Sequence, residues 1–272
     1  MSDLLIHSMS EFSEIILDAL SLAGAKEIVE IGAEHGGMSF LLAEHAQAAG
    51  GRLTSIDPAP KQAFCDWVGE HKHVRHVAKP SLAAFDDVGG VDAWVIDGDH
   101  NWFTVYHELK AVDARCKADD KPMLAFLHDV AWPAARRDMY YAPDRIPEAF
   151  RHPYDFDGGV IPGFPALLPG RGFRGMGQFA MALYEGGPRN GVLTAVEDFV
   201  EEKRAAGETL CFAEIPAVFG LGILFAMDAE WSEALAERVI PWHDSKLLHT
   251  LEQNRLANYL AVLDWQDSAA AA

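Results

Sequence analysis

Short apolar runs alternate with amphipathic patterns along the first half of this chain. Strand-like runs lie at 27–32, 52–57, 73–77, 91–97 and 122–128, and apolar positions at helical spacing fall between them at 38–49, 60–70 and 102–116. A further amphipathic helix is predicted at 12–23, with Ser10 as its N-cap and Gly24 as its stop. Strands that alternate with helices predict an α/β fold, with a parallel sheet covered by helices on both faces.

The alternation stops after residue 130 and returns near residue 190. The segment 158–177 holds seven glycines and three prolines, with large apolar residues between them. Glycine and proline should prevent a regular element there, while the apolar side chains need a surface to cover. The insertion 131–189 is therefore predicted to be an ordered but mobile lid or substrate wall. The alternative is an exposed linker, which would be poorer in large apolar residues.

The remainder completes a seven-stranded sheet. A helix is predicted at 190–206, strands at 209–216 and 220–227, and helices at 229–239 and 244–263 within a C-terminal helical part, 229–265. The leucines of the last helix are typical of core packing, and they are also compatible with a homo-oligomer. In such a sheet, ligands bind beyond the carboxyl ends of the strands, so the loops after residues 32, 57, 77, 97 and 128 should converge.

Length, composition and charge restrict the classes of protein to which this chain can belong. With 272 residues, half of them hydrophobic, residues 1–272 are long enough for one full core and are interpreted as a single domain. A formal net charge of −19 disfavours nucleic acid and anionic membranes as partners and favours a small-molecule substrate. Residues 1–7 do not resemble a leader, no long apolar run occurs, and the three cysteines show no C-x-x-C spacing. A cytoplasmic protein with reduced thiols is expected.

A glycine loop follows the first strand. Gly32 would let the backbone turn tightly at the strand end, and Gly36 and Gly37 would let the next helix begin close to a ligand. In a dinucleotide fingerprint the position two after the first glycine is a second glycine that admits the pyrophosphate. Here that position is Glu34, so a pyrophosphate ligand is disfavoured.

The acidic-x-Gly-x-x-x-Gly pattern of Glu30, Gly32 and Gly36 resembles the first motif of class I S-adenosylmethionine (SAM) dependent methyltransferases. The resemblance implies a Rossmann-like fold whose last strand pair is a hairpin, SAM as cofactor, and Asp57 as the acceptor of hydrogen bonds from its ribose. The alternative is that Glu30 and Asp57 are polar residues of the kind common at strand ends. The predicted cofactor-binding residues are Glu30, Gly32, Ala33, Gly36, Gly37, Ser39, Asp57, Ser81, Asp97 and Gly98.

Acidic residues and histidines follow the fourth and fifth predicted strands. The two strand ends bring Asp97, Asp99, His128 and Asp129 to the ligand side of the sheet, and these are donors that a divalent ion takes. His100 stands at the start of a helix, where an unperturbed pKa of about 6.5 suits a base near neutral pH. Two structural alternatives stay open: His100 can be a helix cap, and His128 with Asp129 can be a hydrogen-bonded pair.

The segment Ile-Asp-Gly-Asp-His at 96–100 resembles a broad bacterial methyltransferase family, and Asp-x-x-His at 97–100 resembles the metal-dependent macrolide-sugar O-methyltransferases and the cephalosporin hydroxylase-like group. This resemblance implies Asp97 and Asp129 as metal ligands and His100 as general base. His128 stands where those enzymes have a second acid. The predicted metal set of Asp97, His128 and Asp129 therefore suits magnesium less well and favours a softer ion or no metal.

These features together predict O-methylation by SAM of a hydroxyl on a small molecule, such as a glycoside or another natural product. In this mechanism His100 accepts the hydroxyl proton, and a divalent metal, if bound, lowers the pKa of that hydroxyl. One alternative is a module that binds SAM without turnover. Another is a metal-dependent hydroxylase or hydrolase that uses Asp97, Asp99, His128 and Asp129, with the glycine loop as a structural turn.

Overall fold

A computed structural model describes residues 8–270, so residues 1–7, where no leader was recognised, lie outside the described part. Its central sheet consists of β1 (Glu27–Ile31), β2 (Arg52–Ile56), β3 (Val74–Val77), β4 (Ala93–Ile96), β5 (Leu124–His128), β6 (Leu210–Ile215) and β7 (Leu221–Ala226). The helices are α1 (Ser13–Leu22), α2 (Gly37–Ala48), α3 (Gln62–Glu70), α4 (Trp102–Ala118), α5 (Val192–Ala205), α6 (Ser232–Val239) and α7 (Lys246–Ala270). Short 3-10 helices lie at Met9–Phe12, Ser81–Ala83, Phe85–Asp87, Pro143–Arg145 and Glu148–Phe150.

The seven strands form one sheet in the order β6-β7-β5-β4-β1-β2-β3. Strands β1 to β5 are parallel, and β7 is antiparallel to both β5 and β6. This confirms the predicted Rossmann-like methyltransferase topology, including the final hairpin. The order of strands reverses between β1 and β4, so the carboxyl ends of these two strands flank the crevice where ligands bind in this architecture.

Two apolar layers cover the sheet, because successive side chains of a strand point to opposite faces and those of the central strands are buried on both. On one face, Ile16 of α1 and Leu42 of α2 pack with Ile28 and Val95 of the sheet. On the other face, Leu109 of α4 packs with Trp94 and neighbouring sheet residues. Helices on both faces are thus confirmed. Within the described part of the chain, no helix is long and apolar enough to cross a membrane.

The insertion is more regular than the sequence indicated. The strands Gly158–Val160, Leu168–Pro169 and Phe173–Arg174 form one small antiparallel sheet, and Met139–Tyr140, Tyr154–Asp155 and Ala180–Ala182 form a second. The expectation that glycine and proline prevent regular elements at 158–177 was therefore wrong. A Cβ at Gly159 would lie within 1.9 Å of the carbonyl oxygen of Arg171, so here glycine permits close strand packing. Movement of this segment stays a prediction.

The start of the first helix also differs from the prediction. Residues Met9–Phe12 form a 3-10 turn, and the hydroxyl of Ser8, rather than Ser10, caps it by accepting from the backbone amide of Ser10. The end agrees with the prediction, since Gly24 follows the helix with a φ of +62°.

Candidate functional site

Gly32 lies where β1 and β4 approach most closely. Its φ is +88°, and a Cβ added there would lie 2.1 Å from the carbonyl oxygen of Asp97 and 2.8 Å from the Cα of Gly98. A side chain at position 32 would therefore collide with the backbone after β4 as well as strain its own. The glycine places the loop after β1 directly against the loop that carries Asp97.

Asp57 braces the glycine loop from the neighbouring strand. Its Oδ2 accepts hydrogen bonds from the backbone amides of Ala33 and Glu34, both at 3.0 Å, and its Oδ1 accepts one from Ala59 at 2.8 Å. An ionised carboxylate offers about four acceptor sites, so roughly one remains for a ligand. The predicted contact of Asp57 with a ribose stays a prediction.

Glu30 and Ser39 lie beneath the loop. Both are buried, and the Glu30 carboxyl accepts hydrogen bonds from the hydroxyls of Ser39 at 2.6 Å and Ser55 at 2.7 Å. Burial, which the two hydroxyls only partly offset, raises the pKa of Glu30 to about 7. Glu30 and Ser39 are thus hydrogen-bonded to each other. Contact of either residue with a cofactor stays a prediction.

Three other predicted cofactor residues lie in the segments that follow β1, β3 and β4. Gly36 has a φ of +85° and precedes α2, which begins at Gly37. Ser81 begins the 3-10 turn after β3. A Cβ at Gly98 would lie 2.9 Å from a methyl carbon of Ile31, so this glycine packs against β1. The convergence of the loops after β1, β2 and β4 is confirmed.

Four residues that follow β4 and β5 form a compact acid and histidine cluster: Asp97, His100, His128 and Asp129. His100 Nε2 lies 3.2 Å from Asp129 Oδ2 and 3.4 Å from Asp97 Oδ1. His128 Nδ1 lies 3.0 Å from Asp129 Oδ2 and 3.1 Å from Asp97 Oδ1. Each histidine therefore faces both carboxylates, which confirms that the two strand ends meet.

The histidines and carboxylates of this cluster influence one another's pKa values. Burial alone would lower the pKa of His100, but the Asp129 and Asp97 carboxylates outweigh burial and raise that pKa to about 9. The same two carboxylates outweigh burial at His128 and hold its pKa well above the usual value. Burial opposes ionisation of Asp97, yet His128 and His100 keep its pKa below the usual range. The expectation of an ordinary pKa near 6.5 at His100 was therefore wrong, and this imidazole can accept a proton only after it has lost the one that the carboxylates stabilise.

The same cluster offers a set of metal donors. Among the described residues, donor atoms of Asp97, His100 and Asp129 all lie within 4.8 Å of one another. The predicted set had His128 in place of His100. His128 Nδ1 instead contacts both carboxylates, an arrangement by which an outer residue orients metal ligands. Its role as a direct ligand stays a prediction.

His100 is not a helix cap. The side chain of Asn101 caps α4 by accepting from the backbone amide of Thr104 at 2.9 Å. The capping interpretation of His100 was therefore wrong, and its imidazole is directed at the carboxylates instead.

Backbone strain is found beside the cluster. Asp129 has a φ of +64°, and so does Phe219 in the turn between β6 and β7. Non-glycine residues rarely adopt this conformation, which costs on the order of 1 kcal/mol. The strained turn is held by hydrogen bonds that join Phe219 to Ala131 and Trp132, and it places the Phe219 ring parallel to that of His128 at 5.9 Å.

Several residues of this region escaped the sequence analysis. Asp138 of the insertion accepts hydrogen bonds from the amides of Trp102 and Gly191, each at 2.7 Å, and from the hydroxyl of Tyr140. It therefore ties the insertion to the starts of α4 and α5. In the sequence, Asp138 is an acid near two arginines. This pattern is common on exposed surfaces, so it did not indicate a functional or structural role.

Glu108 of α4 is a second residue that the sequence did not reveal. It is fully buried, and its carboxyl has the hydroxyl of Ser81 as a polar neighbour. Burial is the main cause that raises the pKa of Glu108 to about 8, and Asp99 adds to it. Glu108 lies on an otherwise apolar face of α4, one turn after Thr104, and this position is the feature by which the sequence could have indicated it.

The segment that holds this site is similar to a known family of domains. Residues 29–129, which run from β1 to Asp129, match the family model of a methyltransferase domain. The matched segment contains every predicted cofactor, metal and catalytic residue. No curated protein matches the chain significantly.

Solved structures of three methyltransferases have a similar fold. The Podospora anserina methyltransferase PaMTH1 bound to S-adenosylhomocysteine (SAH) is 15% identical over 84% of this chain and 83% of its own, with a TM-score of 0.48. The Bacillus cereus O-methyltransferase in complex with SAH is 12% identical over 81% and 82%, with a TM-score of 0.48. The Streptomyces achromogenes O-methyltransferase TomG in complex with SAM is 14% identical over 81% and 82%, with a TM-score of 0.47. Similarity this distant assigns no substrate to the chain.

Proposed function

We propose that this chain transfers a methyl group from SAM to a hydroxyl oxygen of a small molecule. One observation carries the proposal: Gly32 places the glycine loop against the backbone of Asp97, so a cofactor site and a proton-accepting cluster share one crevice. A methyl donor and its acceptor must lie in line within such a space.

The cofactor side of the proposal rests on the loops after β1, β2 and β4. Asp57 fixes the glycine loop by two hydrogen bonds from its backbone amides, and both Asp57 and Asp97 lie partly exposed beside it. Carboxylates attract the cationic sulfonium and amino groups of SAM and accept from its ribose hydroxyls. A pyrophosphate would meet the same carboxylates unfavourably.

In the reaction, a lone pair of the acceptor hydroxyl forms a bond to the methyl carbon. The carbon–sulfur bond breaks, and its electron pair stays on sulfur, which leaves neutral SAH. The hydroxyl proton passes to a neutral His100, through the ring nitrogen that does not face the carboxylates, while Nε2 keeps its own proton toward Asp129 and Asp97. Because the same carboxylates raise the pKa of His100 to about 9, the neutral form and the transfer rate should increase as the pH approaches 9. The two carboxylates then stabilise the imidazolium that forms. The cofactor is already activated, so the protein chiefly orients the reactants and accepts the proton.

The cluster also fits a divalent cation. Asp97 and Asp129 would hold it, while His128 would orient both carboxylates through Nδ1. A bound cation would supply Lewis-acid chemistry that lowers the pKa of a coordinated hydroxyl. With imidazoles beside the carboxylates, the donors suit a softer ion than magnesium.

Ligand-induced stabilisation followed by a transfer assay tests this function. We expect SAM and SAH to raise the thermal unfolding temperature, since a ligand at about 100 times its Kd stabilises the folded state by about 2.7 kcal/mol. NAD should have no effect. Transfer of isotopically labelled methyl from SAM to a panel of hydroxyl compounds should then be detectable. A shift with NAD and none with SAM would overturn the proposal, and SAM binding without transfer would indicate an inactive binding module.

A further inference from the structure

The insertion and the β6–β7 turn deliver a continuous series of aromatic rings to the acid and histidine cluster. We call Tyr141, Phe179, Phe173 and Phe219 the aromatic arc. Centroid distances along it are 5.7 Å from Tyr141 to Phe179, 6.0 Å from Phe179 to Phe173 and 5.5 Å from Phe173 to Phe219. The arc begins at His100, 5.7 Å from Tyr141, and ends at His128, 5.9 Å from Phe219.

Strand register fixes the exposed end of the arc. In the small sheet of the insertion, Tyr140 pairs with Ala180, so Tyr141 and Phe179 lie opposite each other one position further along. The amide of Met139 donates to the carbonyl of His100 at 2.9 Å, which anchors this strand to the loop of the cluster. Tyr141 is 51% exposed, whereas Met139 and Tyr140 are buried. A fixed backbone thus presents an open aromatic face beside His100.

The chemistry of the arc favours one class of acceptor. Phe173 and Phe219 are buried behind the arc, so Tyr141 and Phe179 are its two rings that can face an acceptor. Together they offer one hydroxyl, whereas a sugar would need several polar partners for its hydroxyls. A planar aromatic ring gains about 0.5–1.5 kcal/mol from each edge or offset contact with another ring, beyond the area it buries. A saturated ring gains only the buried area.

We infer that the acceptor is an aromatic hydroxyl compound, with its ring against Tyr141 and Phe179 and its hydroxyl directed at His100. This inference rests on the proposed methyl transfer and names its substrate class. Tyr141 and Phe179 are the specificity-determining residues. The reacting oxygen would then lie beside the ring nitrogen of His100 that does not face Asp97 and Asp129.

A matched pair of alcohols tests the inference on the full chain. Calorimetric titration with 2-naphthol and with decahydro-2-naphthol, each with and without SAH, compares an aromatic and a saturated ring of similar size. The saturated compound is the more hydrophobic, so burial alone would favour it. We expect 2-naphthol to bind at least roughly threefold to tenfold more tightly, the factor that one ring contact supplies.

Substitutions in the aromatic arc test whether Tyr141 causes the preference for 2-naphthol. Tyr141→Leu should weaken 2-naphthol binding roughly threefold to tenfold and leave decahydro-2-naphthol and SAH unchanged. Tyr141→Phe should retain the preference. Tyr184→Leu is the control, because Tyr184 is 67% exposed in the same insertion but lies outside the arc. Unchanged SAH affinity in Tyr141→Leu shows that the variant is folded.

The outcomes separate this inference from the proposed function. Equal binding of the two alcohols, or no loss in Tyr141→Leu, overturns the aromatic acceptor even if SAM supports methylation of other alcohols. A preference for 2-naphthol that Tyr141→Leu abolishes supports the aromatic site. If the protein shows this preference but binds no SAM and methylates no hydroxyl, the proposed methyl transfer is wrong. The bound aromatic compound is then not a methyl acceptor.

Discussion

The imidazole of His100 lies 3.2 Å from the carboxylate of Asp129, although the two residues follow different strands of the sheet. Both are buried, and the backbone of Asp129 adopts a left-handed conformation to reach this position. An imidazole and a carboxylate are thus held together by two strand ends, and the proposed general base depends on this arrangement.

His100→Ala should lower turnover about 10²–10⁴-fold, the usual contribution of a general base. Affinity for SAH should change little, because in the proposed mechanism His100 acts on the acceptor hydroxyl and not on the cofactor. Steady-state rates and calorimetric SAH titrations check both quantities. His249→Ala, at an exposed position of α7, is the matched control. Unchanged turnover in His100→Ala would remove His100 from the mechanism.

Chelation should abolish methyl transfer if Asp97 and Asp129 hold a divalent ion. Activity should return on addition of a divalent metal, and Asp129→Asn should require a higher metal concentration because an amide oxygen is a weaker ligand. Metal-dependent rates measure this shift, with Asp228→Asn at an exposed site as control. Activity that persists after exhaustive chelation would show that the histidines alone balance the carboxylates.

Gly32→Ala should destabilise the fold by roughly 4 kcal/mol or more, because the added Cβ would lie 2.1 Å from the carbonyl oxygen of Asp97. Gly24→Ala provides the comparison. Gly24 has a similar positive φ of +62° but nothing within 4 Å of the added Cβ, so it should cost only about 1–2 kcal/mol of strain. Urea unfolding of the two variants measures the difference. Equal losses would mean that backbone strain, not close approach, requires Gly32.

Asp57→Asn should loosen the glycine loop. One acceptor oxygen is replaced by a donor, so at least one bond to the amides of Ala33, Glu34 or Ala59 is lost, at a cost of about 1–3 kcal/mol. We expect weaker SAH binding as well as lower stability. Asp66→Asn, on the exposed side of α3, controls for the loss of charge. An unaltered SAH affinity would argue against Asp57 in the cofactor site.

Glu108→Gln should change how stability depends on pH. The pKa of Glu108 is raised from an ordinary 4.5 to about 8, so the folded state holds its proton more tightly than the unfolded state. Its contribution is fully present below pH 4.5 and is lost as pH rises through 8, by at most about 5 kcal/mol. Glutamine removes this loss.

Urea unfolding of wild type and Glu108→Gln at pH 5 and at pH 8.5 measures the effect. Glu30 contributes a loss of the same sign to both proteins, so the difference between them isolates Glu108. Parallel pH profiles would contradict a carboxyl at position 108 whose pKa is raised by burial.

Local patterns were sufficient for the central sheet. Strands such as Leu124–His128 are continuous apolar runs, and helices such as Trp102–Ala118 follow a 3.6-residue period, so their order along the chain already implied a parallel α/β sheet. The same local patterns did not predict the strands of the insertion. Its strands have two or three residues and obtain their stability from cross-strand pairing between distant segments, such as Tyr140 with Ala180, which no local pattern records.

The sequence by itself determined which residue types lie at the strand ends: the glycine loop after β1, Asp57, the Asp97 to His100 turn and the His128–Asp129 pair. The tertiary structure decided their partners. It placed Glu30 against two serines, gave the helix cap to Asn101, directed His100 at two carboxylates and brought Tyr141 beside it. The physical reason is that strand and helix preferences act between near neighbours in the chain. Burial, charge pairing and ring contacts depend on distances that exist only after the sheet has assembled.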